Sequence, residues 1–168
     1  MKLAGVDIRD FKSFGNAAVT LGRFNVIIGP NAAGKSNFVD IFSFLTDCAR
    51  EGFANAVSLQ GGGEYVRNLR AAPAETTEIA VSLDAGAAPI RVRFFRDGGR
   101  VVEAVVGSCT YSLSLHCTAA ACTIASEEIA AACTYPAGGR TDFSVWQGAG
   151  IARQIHRLQI GRARVRSP

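Results

Sequence analysis

No apolar run in this sequence approaches the 18 or so residues that a membrane-crossing helix requires, which excludes a transmembrane helix. The start, Met1-Lys2-Leu3-Ala4-Gly5-Val6-Asp7, meets an acid before a signal-peptide core can form, so the expected location is cytoplasmic and no membrane partner is expected. Only two histidines, His116 and His156, are available to join the cysteines, and no cysteine pair has C-x-x-C spacing, which argues against zinc. The five cysteines, Cys48, Cys109, Cys117, Cys122 and Cys133, are odd in number and scattered; the expectation is buried, reduced thiols. Internal repeats and sustained heptads are also missing. Acid is missing from one region. Residues 143–168 carry Arg153, Arg157, Arg162, Arg164 and Arg166 with no Asp or Glu, while residues 1–142 are nearly neutral. The net charge of +4 therefore belongs to the tail. Two readings of that tail stand: a dispensable segment whose arginines share no face, or an arm that contacts RNA or DNA.

Against these absences stands one dense motif, Gly29-Pro30-Asn31-Ala32-Ala33-Gly34-Lys35-Ser36. Its spacing is G-x-x-x-x-G-K-[ST], the phosphate-binding loop or Walker A motif. The apolar stretch 24–28 reads as a strand running into it, and a helix over 35–50 leaves it. The residue types carry the chemistry. Gly29 and Gly34 let the backbone curl so that successive N–H groups form an anion nest. The helix start adds unpaired N–H groups and the positive end of its dipole. Lys35 can reach the β- and γ-phosphates of a nucleotide, and the Ser36 hydroxyl can ligate Mg²⁺.

Around this loop the periodicity predicts further elements. Strands are expected at 3–8 and 18–21, with Gly22-Arg23 turning into the strand at 24–28. Phe38, Ile41, Phe42, Leu45 and Cys48 mark one helix face, and Val39 and Phe44 widen it, predicting burial on more than one side. A short helix fits 53–59, broken by Gly61-Gly62-Gly63, with a loop through Pro73. From Glu78 the period becomes two. Strands are expected near 79–83, 90–94, 101–106 and 111–117, with turns at 97–99 and 136–139. The segment 122–129 is ambiguous and leans to strand; His116 falls on a polar face.

Two stretches are similar to a known family: Val6-Asp7-Ile8-Arg9-Asp10-Phe11-Lys12-Ser13-Phe14, and the run from Leu21 through the loop to Asp40. Together they resemble the N-terminal lobe of SMC/RecF-type ATPases, members of the ABC-type superfamily often described as AAA-family ATPases. The resemblance implies an α/β fold: a P-loop NTPase lobe with a mixed sheet, one main P-loop helix and an antiparallel β-subdomain over 78–129. It implies a lobe at 1–146 and an arginine-rich tail at 147–168. It also implies ATP and Mg²⁺ as ligands, held by Gly29, Pro30, Asn31, Ala32, Ala33, Gly34, Lys35, Ser36 and Asn37. Lys12 and Ser13 would lie beside the nucleotide, and Ser36 would touch the metal.

Partners implied by the resemblance are DNA and either a second copy or a completing C-terminal lobe, in DNA-repair or chromosome-maintenance machinery. The sequence departs from the family at three motifs. Residues 79–84 imitate a Walker B strand but are interrupted by Ser82 and lack the following Glu. Residues 59–64 imitate a signature loop but stand too close to the P-loop. Gln147 is a poor Q-loop candidate. No catalytic residue is assigned, so nucleotide binding without complete hydrolysis is the expected function. The alternatives are a non-hydrolysing remnant and a nucleic-acid-binding protein acting through the tail.

Overall fold

The computed structural model describes residues 2–71, 76–86, 90–96, 100–119, 121–134 and 140–146. The expected loop at Pro73, the turns at 97–99 and 136–139, Gln147, His156 and the tail 147–168 lie outside them. The chain order is β1 (Lys2–Phe11), β2 (Phe14–Thr20), α1 (Lys35–Glu51), α2 (Phe53–Leu59), α3 (Gly63–Val66), β3 (Thr77–Asp84), β4 (Ile90–Arg96), β5 (Arg100–Cys117), β6 (Cys122–Thr134) and β7 (Arg140–Trp146). The strands join in the order β2-β1-β3-β5-β6-β7, with β4 also paired to β5.

Alternation explains why these segments pair. In β1, Val6 and Ile8 are buried while Asp7 and Arg9 face water; in β3, Ile79 and Val81 are buried. In β5, Leu113, Leu115 and Cys117 point inward and His116 is exposed. A period of two puts one apolar face on the core and one polar face in solvent, the pattern of an antiparallel sheet covered on one side. The register aligns those faces: Ile8 opposes Ile79, and Ile79 opposes Leu113.

Helix α1 covers that face. Phe38, Ile41, Phe44 and Cys48 recur at helical spacing and are buried against Ile8, Phe11, Ile79, Leu113 and Leu115. The Phe44 ring lies 5.9 Å from that of Phe11. Val39 is 56% exposed, so the helix buries one stripe, and the expected burial on more than one side is corrected. With a single layer beneath it, the helix has nothing among the described residues to bury Val39 against.

Four further expectations are corrected. Every described ladder is antiparallel, where a mixed sheet was expected. The stretch 24–28, which would have supplied a parallel strand, is irregular; Phe24 is 84% and Ile28 86% exposed. The physical reason is topological. The neighbouring strand β1 is already paired on both edges, by β2 and β3, so a fully apolar run finds no flanking strands among the described residues. The separate strands expected at 101–106 and 111–117 are one strand, β5, which runs through a register shift at Gly107. Lastly, Cys117 and Cys122 are joined as a disulfide rather than left as reduced thiols, because they face each other across the β5–β6 ladder.

One polar group sits within the apolar layer. Glu127 of β6 is buried and accepts a hydrogen bond from the Tyr111 hydroxyl at 2.8 Å. Burial and then this carboxylate push the Tyr111 hydroxyl above its usual range. The Cys48 thiol is pushed up to about 12, by burial first and by the Glu127 and Asp47 charges after it.

Candidate functional site

The phosphate-loop residues occupy the connection from the irregular 24–28 stretch to α1. A turn at 22–25 is closed by the Asn25 side chain, which accepts from Gly22 N–H at 2.9 Å and donates to the Gly22 carbonyl at 3.2 Å. Ala33 N–H donates to the Pro30 carbonyl at 3.3 Å, bending the chain at 30–33, and Ala32 takes a left-handed φ of 63°. Gly34 caps α1 with φ 89°, and a Cβ there would lie 2.7 Å from the Ser13 Oγ. Both the backbone sign and the close approach require glycine.

The first helical hydrogen bond is Phe38 N–H to the Gly34 carbonyl at 3.0 Å. The N–H groups of Lys35, Ser36 and Asn37 therefore precede the intrahelical ladder, as at any helix start, and lie at the positive end of the dipole. Ser36 stands at the second helical position. The Lys35 ammonium donates to the carbonyls of Gly29 at 2.9 Å and Pro30 at 2.6 Å, folding back over the loop.

A second chain segment braces this loop. Lys12 and Asp10 both take left-handed φ values, 48° and 50°, on either side of the fully buried Phe11. Such conformations cost on the order of 1–2 kcal/mol each for a side chain with a Cβ, and the surroundings hold them in place. Lys12 N–H donates to the Val66 carbonyl at 3.0 Å; the Asp10 carbonyl accepts from Asn68 N–H at 2.7 Å and from the Thr77 hydroxyl at 2.9 Å. The Lys12 ammonium pairs with Asp40 of α1 at 2.6 Å, and the Asn37 amide donates to the Ser13 Oγ at 2.8 Å.

Lys12, Ser13, Gly34 and Asn37 thus form one connected corner, with Lys35 and Ser36 on the same helix turn. Asp40 is the member that sequence reasoning missed. Its only signal was its place on the turn of α1 following Ser36, which says nothing about a lysine 28 positions away.

The imitations of other family motifs lie elsewhere. Asp84, at the end of the 79–84 stretch, pairs with Lys2 at 3.7 Å. Lys2 begins β1 and Lys12 follows its end, and a ten-residue strand is roughly 30 Å long, which separates that carboxylate from the loop by about the length of the sheet. Residues 59–64 bridge α2 and α3. Among the described residues, no group of three His, Cys, Asp or Glu could hold a metal ion. No described helix is long and apolar enough to cross a membrane.

Comparisons with known proteins match parts of this chain. The family described as "AAA domain, putative AbiEii toxin, Type IV TA system" matches residues 24–76, which hold the loop, α1, α2 and α3. The chain is also similar to the chromosome partition protein Smc of Mycobacterium tuberculosis, at 33% identity over 126 residues. That alignment covers 65% of this chain and 10% of the relative, so the chain matches about a tenth of that protein's length.

Proposed function

We propose, for a chain that belongs among the SMC/RecF-like AAA P-loop ATPases, that the 29–36 loop binds a nucleoside triphosphate with Mg²⁺. The observation that supports this reading is the left-handed Gly34 that joins the loop directly to the start of α1, where the first N–H groups precede the intrahelical ladder. In this reading the N–H groups at 34–37 receive phosphate oxygens, and Lys35 exchanges its two carbonyl partners for the β- and γ-phosphates. Ser36 Oγ is the chain's own oxygen ligand for the metal, and the backbone at 30–33 lines the rest of the cradle. The cation, when bound, neutralises the charge of the β- and γ-oxygens.

Asn31 and Asn37 lie at the two ends of this cradle, while Lys12 and Ser13 brace it from β1's end. Lys12, already paired with Asp40, acts through position rather than by direct contact. No residue here has been placed to orient an attacking water, so binding is assigned to this chain and completed hydrolysis is not. The exposed apolar stretch 24–28 favours completion by further protein, a C-terminal lobe or a second copy, since Phe24 and Ile28 otherwise stand in water. The acid-free tail 143–168 favours a second reading, an arm for nucleic acid. DNA repair and a cytoplasmic location belong to the same proposal.

The test is calorimetric titration with Mg-ATP. Lys35→Ala should weaken binding by at least about tenfold, the loss of one charge-assisted phosphate contact. Equal affinity of the two proteins would refute the site, and turnover near about 1 s⁻¹ that Lys35→Ala abolishes would show that hydrolytic groups are present.

A further inference from the structure

Cys117 ends β5 and Cys122 begins β6, and they oppose each other as the terminal pair of that ladder. Their Cα atoms are 4.0 Å apart and their sulfurs are bonded. The 118–121 connection between them is closed by Thr118 N–H donating to the Ala121 carbonyl at 2.7 Å. Cys117 is fully buried in the core, whereas Cys122 is half-buried. Cys122 is therefore the less buried member of the pair.

The hairpin tip rests on α3. A Cβ on Gly63, the first residue of that helix, would come within 2.9 Å of the Thr118 carbonyl oxygen, 3.1 Å of the Cys122 Cβ and 3.3 Å of the Ala121 carbonyl oxygen. The other end of α3 holds the site corner: Val66 accepts from Lys12 N–H, Arg67 bridges Phe11, and Asn68 donates to the Asp10 carbonyl. Four helical residues are all that separate the disulfide's contact from the Lys12–Ser13 turn.

We propose that Cys117 and Cys122 form a reversible thiol–disulfide site whose state sets how firmly α3 holds the Lys12–Ser13 turn against the phosphate loop. The pair is oxidised by a low-molecular-weight disulfide such as glutathione disulfide. The Cys122 thiolate attacks one sulfur of the oxidant, whose S–S bond breaks and releases one glutathione thiolate. The Cys117 thiolate then attacks the Cys122 sulfur of the mixed disulfide and releases the second. Two protein thiols lose two electrons and two protons, and one glutathione disulfide becomes two glutathione thiols. With the bridge closed, the hairpin tip is a fixed platform for Gly63. With it open, the tip and the helix it supports gain freedom, and the end of α3 that accepts from Lys12 N–H is held less firmly.

The effect on nucleotide rests on the function proposed above; the redox change and its effect on the turn do not. The experiment uses the whole chain equilibrated in oxidised or reduced glutathione. Intact mass should show one pair of thiols interconverting, a change of about 2 Da. Hydrogen exchange at the Lys12 and Asn68 amides should be at least about tenfold faster in the reduced form. Mg-ATP affinity should be about fivefold or more weaker in the reduced form. Cys122→Ser should exchange at the reduced rate in both buffers, and Cys122→Ala serves if that variant does not fold. A mass unchanged in oxidised glutathione, or equal exchange at Lys12 and Asn68 in the two states, would overturn the proposal. Absence of nucleotide binding in both states, with the exchange difference present, would instead refute the nucleotide site and leave the thiol site standing.

Discussion

Replacing Gly34 by alanine tests whether the phosphate loop is held by the corner described above. Two separate costs are expected. The first is local: a left-handed φ of 89° costs an L-residue with a Cβ about 1–2 kcal/mol. The second comes from contact. The new Cβ would lie 2.7 Å from the Ser13 Oγ, which must move, and that oxygen accepts the 2.8 Å hydrogen bond from Asn37. Losing such a bond costs about 0.5–1.5 kcal/mol. The expected total is about 2–3 kcal/mol, a large share of a stability of roughly 5–15 kcal/mol.

The two parts can be separated. Gly86 also has a left-handed φ, 60°, but a Cβ there meets nothing within 4 Å among the described residues, so Gly86→Ala should show the backbone cost alone. In a Ser13→Ala background the colliding oxygen is gone, and Gly34→Ala should cost about 0.5–1.5 kcal/mol less than in the wild type. Urea unfolding of the four-member cycle measures this coupling. Zero coupling between positions 13 and 34 would mean that the turn does not touch the loop, and the connected corner would have to be abandoned.

Two further outcomes are expected. Phe44→Ala should destabilise the fold by about 3–5 kcal/mol by removing a fully buried ring packed on Phe11, while Val39→Ala on the exposed flank should stay within about 0.5 kcal/mol; a reversed order in denaturant titration would mean that α1 packs by another face. Stability should also fall as pH rises from about 9 to about 12: unfolded Cys48 ionises near its ordinary value of 9.0, folded Cys48 keeps its proton to about 12, and the unfolded state is favoured by about 1.4 kcal/mol per pH unit in that window. Cys48→Ala should flatten this slope in melting temperatures measured across it, whereas Tyr111, also raised, continues to contribute.

How far the sequence could be read depended on whether a signal was local. The G-x-x-x-x-G-K-[ST] spacing sets where α1 begins, because the glycine that caps it and the lysine that opens it are neighbours. The stripe Phe38, Ile41, Cys48 follows from the helical period alone. Alternation in β1, β3 and β5 told the inward from the outward residues for the same reason. The stretch 24–28 misled because hydropathy reports what a segment could bury and says nothing of whether neighbours exist to bury it. Val39 misled in the same way. Cys117 and Cys122 flank a short connection between two alternating segments, so their pairing was latent in the sequence. It was hidden by the ambiguity of 122–129, where Glu127 and the alanines resemble a helix until the Tyr111 hydroxyl accounts for the buried carboxylate. The Lys12–Asp40 pair had no local signal, since it depends on how β1's end meets α1.

The pairing of β1 with β3 has a temporal consequence. Leu3 aligns with Leu83 and Arg9 with Glu78, so the entire phosphate loop and its three helices are enclosed within a single chain closure of about 70–80 residues. On a ribosome adding roughly 5–20 residues per second, β1 emerges several seconds before its second neighbour has been made. Through that interval Val6, Ile8 and Phe11 have only β2 beside them, and α1 has no complete sheet to lie on. The corner that braces Gly34 therefore cannot be an early local structure. It matures only after the distal strand arrives, and its formation inherits the slowness of non-local contacts. Ligand binding at the loop would then report, during synthesis, that the chain as far as Asp84 has already folded.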